Sequence, residues 1–393
     1  MLKRFTIILF LISVTSFVRS QGLQEFLNKV SENNPEIQAY RKLLETRKIE
    51  ARTGLTPSGP EVTAGYMPGN SDAIGVKKTW SVTQSFAFPS KYLLQKKINK
   101  TTMALAEMEV NYGTLLILLE AKKSMFDLIY NHQALKFLLK RKEGYDRLRT
   151  AWGTMLESGE TTILEYNKII LELSALNLEI TRRETDIGIL SEKISFMSGG
   201  TVSVPEIDNY PDISEPELDS LISQKTSLHP AFLIPEAEYL ISLEEVKLSK
   251  TGSLPEFQIG YASEIIPGET YSGPVGGIII PLWANLNKVK TARSSVIHQA
   301  AVRDAEIFRL KSQIRNEYAN MKALKKSMSE VKNVLESNGA INYLDIALEN
   351  GEISLTSYFS YLEVAFRAED RLLELENEYH KSLAALLDYE LIK

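Results

Sequence analysis

The sequence predicts a mainly α-helical protein with a small β part, in which long helical hairpins and short strand hairpins are each present twice. Three observations carry this. Residues 23–66 repeat at 218–261: Asn34-Pro35 answers to His229-Pro230, and Pro60-Glu61-Val62-Thr63-Ala64-Gly65-Tyr66 to Pro255-Glu256-Phe257-Gln258-Ile259-Gly260-Tyr261. All fourteen prolines fall between residues 35 and 89 or between 205 and 281, leaving two proline-free runs, 90–204 and 282–393. The proline-bearing stretches alternate with period two, as half-buried strands do. A period this long, with fixed internal distances, marks a duplicated architectural unit rather than a solenoid of short repeats.

The N-terminus reads as a secretory signal. Lys3-Arg4 precede an apolar run from Phe5 to Val14, and the small-residue positions Val18 and Ser20 precede Gln21, so residues 1–20 are expected to be removed by cleavage after Ser20. The run is well short of the roughly 20 residues a membrane-spanning helix needs.

The first repeat is expected over residues 21–200. Its strand hairpin spans 61–88: Val62, Ala64 and Tyr66 oppose Glu61, Thr63 and Gly65. The even positions Val76, Lys78, Trp80, Val82, Gln84, Phe86 and Phe88 oppose the small polar odd ones Lys77, Thr79, Ser81, Thr83, Ser85 and Ala87. Pro68-Gly69-Asn70-Ser71 supplies the turn. From 90 to 198 the chain is rich in Leu, Lys, Glu, Ala and Met, with Gly113, Gly144 and Gly153 as the weak spots, and predicts a long helical hairpin bent at Ser158-Gly159. About 68 residues at about 1.5 Å each make a rod of roughly 100 Å. The segment 201–217 joins the copies.

The second repeat is expected over 218–393, with a strand hairpin at 255–281 and a helical hairpin at 283–391 bent at Asn350-Gly351. Phe257, Ile259 and Tyr261 oppose Glu256, Gln258 and Gly260; Pro267-Gly268-Glu269-Thr270 is the turn, and the fourth strand reads as Val275 to Pro281. Leu355, Phe359, Leu362, Phe366 and Leu373 form a heptad-like seam beyond the bend. Leu156-Glu157-Ser158-Gly159-Glu160 answers to Leu348-Glu349-Asn350-Gly351-Glu352, and both copies keep 70 residues from proline to tip glycine (159 − 89 and 351 − 281). The two tips are therefore expected at the same height.

Four strands with one apolar and one polar face cannot close a barrel alone. The alternation is that of a transmembrane β-barrel, lipid outside and water inside, and three copies would supply twelve strands. A soluble sandwich leaves the long helices unexplained. Other chemistry finds no support in the residues. There is no cysteine, hence no disulfide, thiolate metal site or lipid-modified N-terminal Cys. His132, His229, His298 and His380 fall at no ligand spacing and read as ordinary polar residues. No cofactor and no catalytic set is expected. The net charge of −5, or −8 once Lys3, Arg4 and Arg19 leave with the signal, offers no attraction to nucleic acid. Lys140-Arg141-Lys142 and Lys325-Lys326 read as solvated helix faces. Glu61, Lys77, Thr79 and Glu256 sit on the polar strand faces and are candidates for lumen lining.

Taken in order, Asn34-Pro35-Glu36-Ile37, the Gly-Tyr-ended strand after Pro60, the hairpin ending at Pro89, the Leu-Glu-Ser-Gly-Glu turn and their second copies resemble the TolC-like outer-membrane efflux proteins, from about Leu23 to Leu387. The resemblance implies a homotrimer in the outer membrane: a twelve-stranded barrel continuing into a periplasmic α-barrel, with 201–217 in a belt around its middle. It implies a passive duct joined to a periplasmic adaptor (membrane-fusion) protein and an inner-membrane pump of the RND type, exporting small toxic solutes, with a lean to heavy-metal cations. A type I secretion duct and a secreted or periplasmic coiled-coil scaffold are the alternatives. Adaptor docking would fall on the tips, at Leu156, Gly159, Glu160, Leu348, Gly351 and Glu352. Family members carry a carboxylate six residues past the tip glycine as an aperture ring; Glu165 has that place here, and Ser357 in the second copy.

Overall fold

A computed structural model describes residues 22–71, 74–200, 207–338 and 340–392. The expected signal, 1–20, lies outside them, as do residues 201–206 of the expected linker. The order is α1 (22–33), α2 (Pro35–Glu50), β1 (Glu61–Pro68), β2 (Val76–Phe86), α3 (Pro89–Ser158), α4 (Ile163–Met197), α5 (Leu218–Leu228), α6 (Pro230–Thr251), β3 (Glu256–Ile266), β4 (Glu269–Ile279), α7 (Lys288–Asn338), α8 (Ala340–Glu349) and α9 (Leu355–Leu386), with a closing 3₁₀ turn, Asp388–Ile392. The described chain forms two units. One holds residues 22–40, Gly113–Lys225 and the part from Lys311 on; the other holds Arg41–Tyr112 and Thr226–Leu310.

The repeated X-Pro pairs are helix starts. Asn34 Oδ1 accepts the backbone N–H groups of Glu36 at 2.9 Å and Ile37 at 3.2 Å, and Pro35 opens α2. In the second copy His229 takes that role, its Nδ1 accepting from Ala231 N at 3.1 Å ahead of Pro230. A cap acceptor followed by a residue with no N–H satisfies the first turn in both places.

In the first unit, Leu23, Phe26, Leu27 and Val30 of α1 pack on Leu118, Ala121, Met125, Phe126 and Ile129 of α3 and on Ile194 and Met197 of α4. The three expected weak spots of α3 do not interrupt its 70 residues. At Gly113 the reason is visible: a Cβ would stand 2.6 Å from the Tyr40 ring, so glycine is what lets that ring close. The described part of the linker is pinned at two points. Tyr210 stacks on His380 at 4.3 Å. Glu215 accepts from Lys322 Nζ and Tyr379 Oη, both at 2.7 Å. Burial alone would raise the Glu215 carboxyl, but hydrogen bonds from Lys322, Lys325 and Tyr379 outweigh it and hold it at about 2. Lys325, expected on a solvated face, is thus partly engaged. His380, read as an ordinary polar residue, is instead packed among Phe126, Tyr210 and Tyr379; burial pushes it down to about 4.

In the second unit all four strands form one antiparallel sheet in chain order, leaving β1 and β4 as edges. Register keeps like faces together: Val62 opposes Val82, Val82 opposes Tyr261, and Phe86 opposes Phe257, while Thr63 opposes Ser81 and Thr83 opposes Gly260. Gly260 is forced, since a Cβ there would lie 2.3 Å from the Val82 carbonyl oxygen. Strand prolines occur only on the edges, Pro68 in β1 and Pro274 in β4, where a missing N–H is tolerated.

The structure corrects two sequence expectations. The fourth strand begins at Glu269, not Val275, and the turn is Pro267-Gly268 alone, with Gly268 at φ 86°. Alternation fails across Gly273, Pro274, Gly276 and Gly277, but pairing with β3 runs unbroken from Glu269 to Ile279. The copies also differ in register. Phe257 opposes Ile278, four residues beyond the Pro274 that a strict copy of Val62–Val82 would place there. An even shift leaves the faces unchanged. Finally, the second rod starts at Lys288 rather than 283. Among the described residues no helix is long and apolar enough to cross a membrane.

Candidate functional site at the helical tips

Both tips close with the same hydrogen-bond pattern. Glu160 N donates to Met155 O at 2.8 Å and Gly159 N to Leu156 O at 3.2 Å; in the second copy Glu352 N donates to Ala347 O at 2.8 Å and Gly351 N to Leu348 O at 3.0 Å. These are Schellman caps, which place one residue in the left-handed region. Gly159 has φ 78° and Gly351 φ 70°, and nothing lies within 4 Å of a Cβ at either. The demand for glycine is thus one of backbone conformation, worth about 1–2 kcal/mol per position.

The return helices start differently. Thr162 caps α4, its Oγ1 accepting from Glu165 N at 3.3 Å, while Glu165 Oε2 accepts from Thr161 Oγ1 at 2.6 Å and Thr162 N at 3.4 Å. This capping box draws the Glu165 carboxyl below its usual range, the Thr161 hydroxyl contributing most. At α9, Ser354 is the cap and Ser357 fills the place of Glu165: Ser357 N donates to Ser354 Oγ at 3.2 Å and the two hydroxyls lie 3.0 Å apart. The Glu165 and Ser357 difference is therefore a difference between two caps, with the Glu165 carboxylate folded back on its own turn. Thr162-Ile163-Leu164-Glu165 shows this in sequence, as Ser/Thr-x-x-Glu ahead of an apolar run.

Behind the turns one apolar cluster joins both tips. Ile169 and Leu173 of α4 and Leu355, Tyr358, Phe359 and Leu362 of α9 are buried, with Tyr145, Leu148 and Trp152 of α3 and Leu344 and Leu348 of α8 against them. The predicted seam on α9 lies in this cluster through Leu355, Phe359, Leu362 and Phe366, and Leu373 is buried beyond it. Tyr145 stacks on Phe359 at 5.5 Å, burial pushing its phenol up to about 12. Tyr358 Oη donates to Asp345 Oδ1 at 2.7 Å.

Arg141 overturns its reading as part of a solvated face. Its side chain is only 7% exposed, with Nη1 to Asp370 Oδ2 at 3.0 Å, Nη2 to Asp370 Oδ1 at 2.8 Å, and further bonds to Glu369 and the Phe366 carbonyl. The guanidinium also lies 4.3 Å from the Phe366 ring centre. A Lys-Arg-Lys run looks solvated by itself; the partners that bury its middle member come from α9.

The remaining candidates sit on the polar face of the sheet. Thr79 opposes Gly65 and Glu264, and Lys77 pairs with Glu264 at 2.7 Å. Glu61 opposes Thr83, and Glu256 lies 3.7 Å from Lys91. The opposite face leaves Val62, Tyr66, Trp80, Ile259 and Tyr261 exposed. Among the described residues no group of three His, Cys, Asp or Glu could hold a metal ion.

One open sheet of four strands together with long, tip-capped helical hairpins is the protomer fold of TolC-like outer-membrane channels, and this chain has that fold. Particular solved structures with it include CusC, 11% identical with TM-score 0.80, covering 95% of this chain and 92% of that one. A membrane protein from Pseudomonas aeruginosa is 11% identical with TM-score 0.82 over 94% and 90% of the two chains. The CmeC outer-membrane channel of Campylobacter jejuni is 12% identical with TM-score 0.76 over 94% and 85%. No protein-family profile and no curated protein sequence matches the chain.

Proposed function

We propose that this chain is one protomer of a homotrimeric, passive outer-membrane duct of a tripartite efflux system. The observation that carries this is the sheet: two unpaired edges, and an apolar face of Val62, Tyr66, Trp80, Ile259 and Tyr261 left in solvent. Such a sheet is completed by closure with copies of itself, and its apolar face by lipid. The two repeats, 21–200 and 218–393, act as half-units, each giving one strand hairpin to a twelve-stranded barrel and one helical hairpin to a periplasmic tunnel. The signal is cleaved after Ser20. The chain carries no catalysis and takes its energy from partners, an inner-membrane pump of the RND type and a periplasmic adaptor.

The adaptor grips the tips at Leu156, Gly159 and Glu160 and at Leu348, Gly351 and Glu352. Opening repacks the cluster behind them, where Arg141 ties α3 to α9. With the Glu165 carboxylate engaged in its cap, the aperture ring forms only as that cap loosens. Lys77, Thr79 and Glu61 line the barrel lumen, while Glu256, at the start of β3, stands beside Lys91 at the end of the sheet. Small toxic solutes are the cargo, the compact chain leaning to heavy-metal cations. The test is fractionation and complementation: a trimer resistant to SDS in outer-membrane extracts, restoring drug or metal tolerance to a strain lacking the gene. A soluble monomer overturns the proposal.

A further inference from the structure

Between β4 and α7 the chain holds a row of large apolar side chains in solvent. Ile280, Leu282, Trp283 and Leu286 are 66, 74, 77 and 76% exposed. The loop that carries them is braced. Asn285 Nδ2 donates to Ser249 O at 2.7 Å and Ser253 Oγ at 2.8 Å, and Leu286 N bonds back to Trp283 O at 3.1 Å. Gly252 makes room for this brace, since a Cβ there would stand 2.9 Å from Asn285 Oδ1. Exposure is therefore imposed by the fold rather than by slack.

Trp283, Ile280 and Phe88 line a cleft together with Lys91, Lys288 and Glu256. Lys288 is the first residue of α7, so its ammonium adds to the positive end of that helix. Glu256, 3.7 Å from Lys91, offsets one of the two cations, so the cleft keeps a net charge of about +1 from these three groups. The apolar part continues the exposed face of the sheet, through Phe257 and Ile278, which oppose each other in β3 and β4. A soluble anion has no use for the exposed Trp283 and Leu282, and a soluble apolar ligand none for the lysines. A phospholipid uses both, with the indole at the headgroup level.

Resting on the duct reading above, we propose that residues 280–287 are a foot at the headgroup boundary of the periplasm-facing leaflet, and that the cleft binds the phosphate of an anionic glycerophospholipid. Lys91 and Lys288 hold the phosphate, and the acyl chains run along Ile280, Leu282 and Trp283.

The chain has three tryptophans, Trp80, Trp152 and Trp283, so W80F/W152F leaves Trp283 as the sole reporter. Reconstituted into vesicles of brominated-acyl lipid, this trimer should show blue-shifted, strongly quenched emission. In native mass spectrometry of the full chain, phosphatidylglycerol should be retained about tenfold over phosphatidylcholine, a preference lost in K91Q/K288Q. An inserted trimer whose Trp283 answers to aqueous acrylamide and not to bromolipid overturns the foot. Undiminished phosphatidylglycerol retention in K91Q/K288Q overturns the phosphate site. Failure to enter vesicles as a trimer overturns the duct reading as well.

Discussion

The duplication specifies how neighbouring chains should join. Within one chain, the second strand of the first repeat pairs with the first strand of the second, as Val82 with Tyr261 and Phe86 with Phe257. Moved to the seam, with the copies offset by 195 residues before the hairpins and 192 after, these become Pro274 opposite Tyr66 and Ile278 opposite Val62 of the next chain. Both pairs lie on the apolar face. The path from Val62 to Val82, Tyr261, Pro274 and the next chain's Tyr66 then advances four residues per chain, twelve around a ring of three. With about 3.3 Å per residue and about 4.8 Å between strands, that stagger tilts the strands by about 35°, within the range of membrane barrels. A slip of two either way gives about 19° or 46°. Because the natural chain has no cysteine, V62C/I278C supplies the only thiols. Facing Cα atoms about 4.5–5.5 Å apart are within disulfide reach, whereas a two-residue slip separates them by about 8 Å. Mild oxidation should give covalent trimers on non-reducing gels for V62C/I278C, and not for V62C/G276C or V62C/I280C. A crosslink in either slipped pair, with the matched pair silent, would refute the transfer of register.

Replacing Gly159 and Gly351 together by Val should leave the barrel assembled but impair export, measured as lost drug or metal tolerance with SDS-resistant trimer intact. The φ values of 78° and 70° cost a β-branched residue at least about 1–2 kcal/mol each. Gly260→Ala should instead strike the sheet: relieving a 2.3 Å approach to the Val82 carbonyl costs about 1–3 kcal/mol, visible as a lower temperature for trimer dissociation in SDS. Arg141→Leu should destabilise by about 2–3 kcal/mol, less than for a fully buried pair because Asp370 is half exposed, and should raise amide exchange in α9 around residues 366–370. The linker should loosen in acid. Glu215, held at about 2 against its ordinary 4.5, contributes stability that is lost as pH falls between those values. His380, held at about 4 with Asp212 and Lys122 facing it, binds its proton more readily when unfolded, so stability also falls from about pH 6.5 to 4. Protection of the amides of residues 207–217, with exchange corrected for its intrinsic pH dependence, should fall over that range and stay flat above pH 7; the opposite slope would refute both assignments.

What could be read from the residues was whatever local chemistry decides. Period-two faces located β1, β2 and β3, and tip glycines located both bends, while the X-Pro pairs read only as landmarks of the repeat until the structure showed them to be helix starts. The start of β4 was hidden because its neighbour supplies what Gly273, Pro274 and Gly276 lack: eleven register pairs with β3. Arg141 was hidden because its burial depends on Asp370 and Phe366, more than 220 positions away. The capping role of Glu165 was legible in Thr162-x-x-Glu165, and the position past the tip glycine drew attention to an aperture ring instead.

The confinement of proline to the edge strands bears on the order of events. Pro68 and Pro274 each lack an N–H, and β2 and β3, already paired on both sides, have no proline. A lone protomer is thus a poor template for chance strand addition, since each edge offers a broken ladder to a passing β-segment. The cost is a seam that is weak until both edges are held in line. Helices that pack early would supply that alignment, raising the local concentration of matching edges until the ring zips shut as the last step.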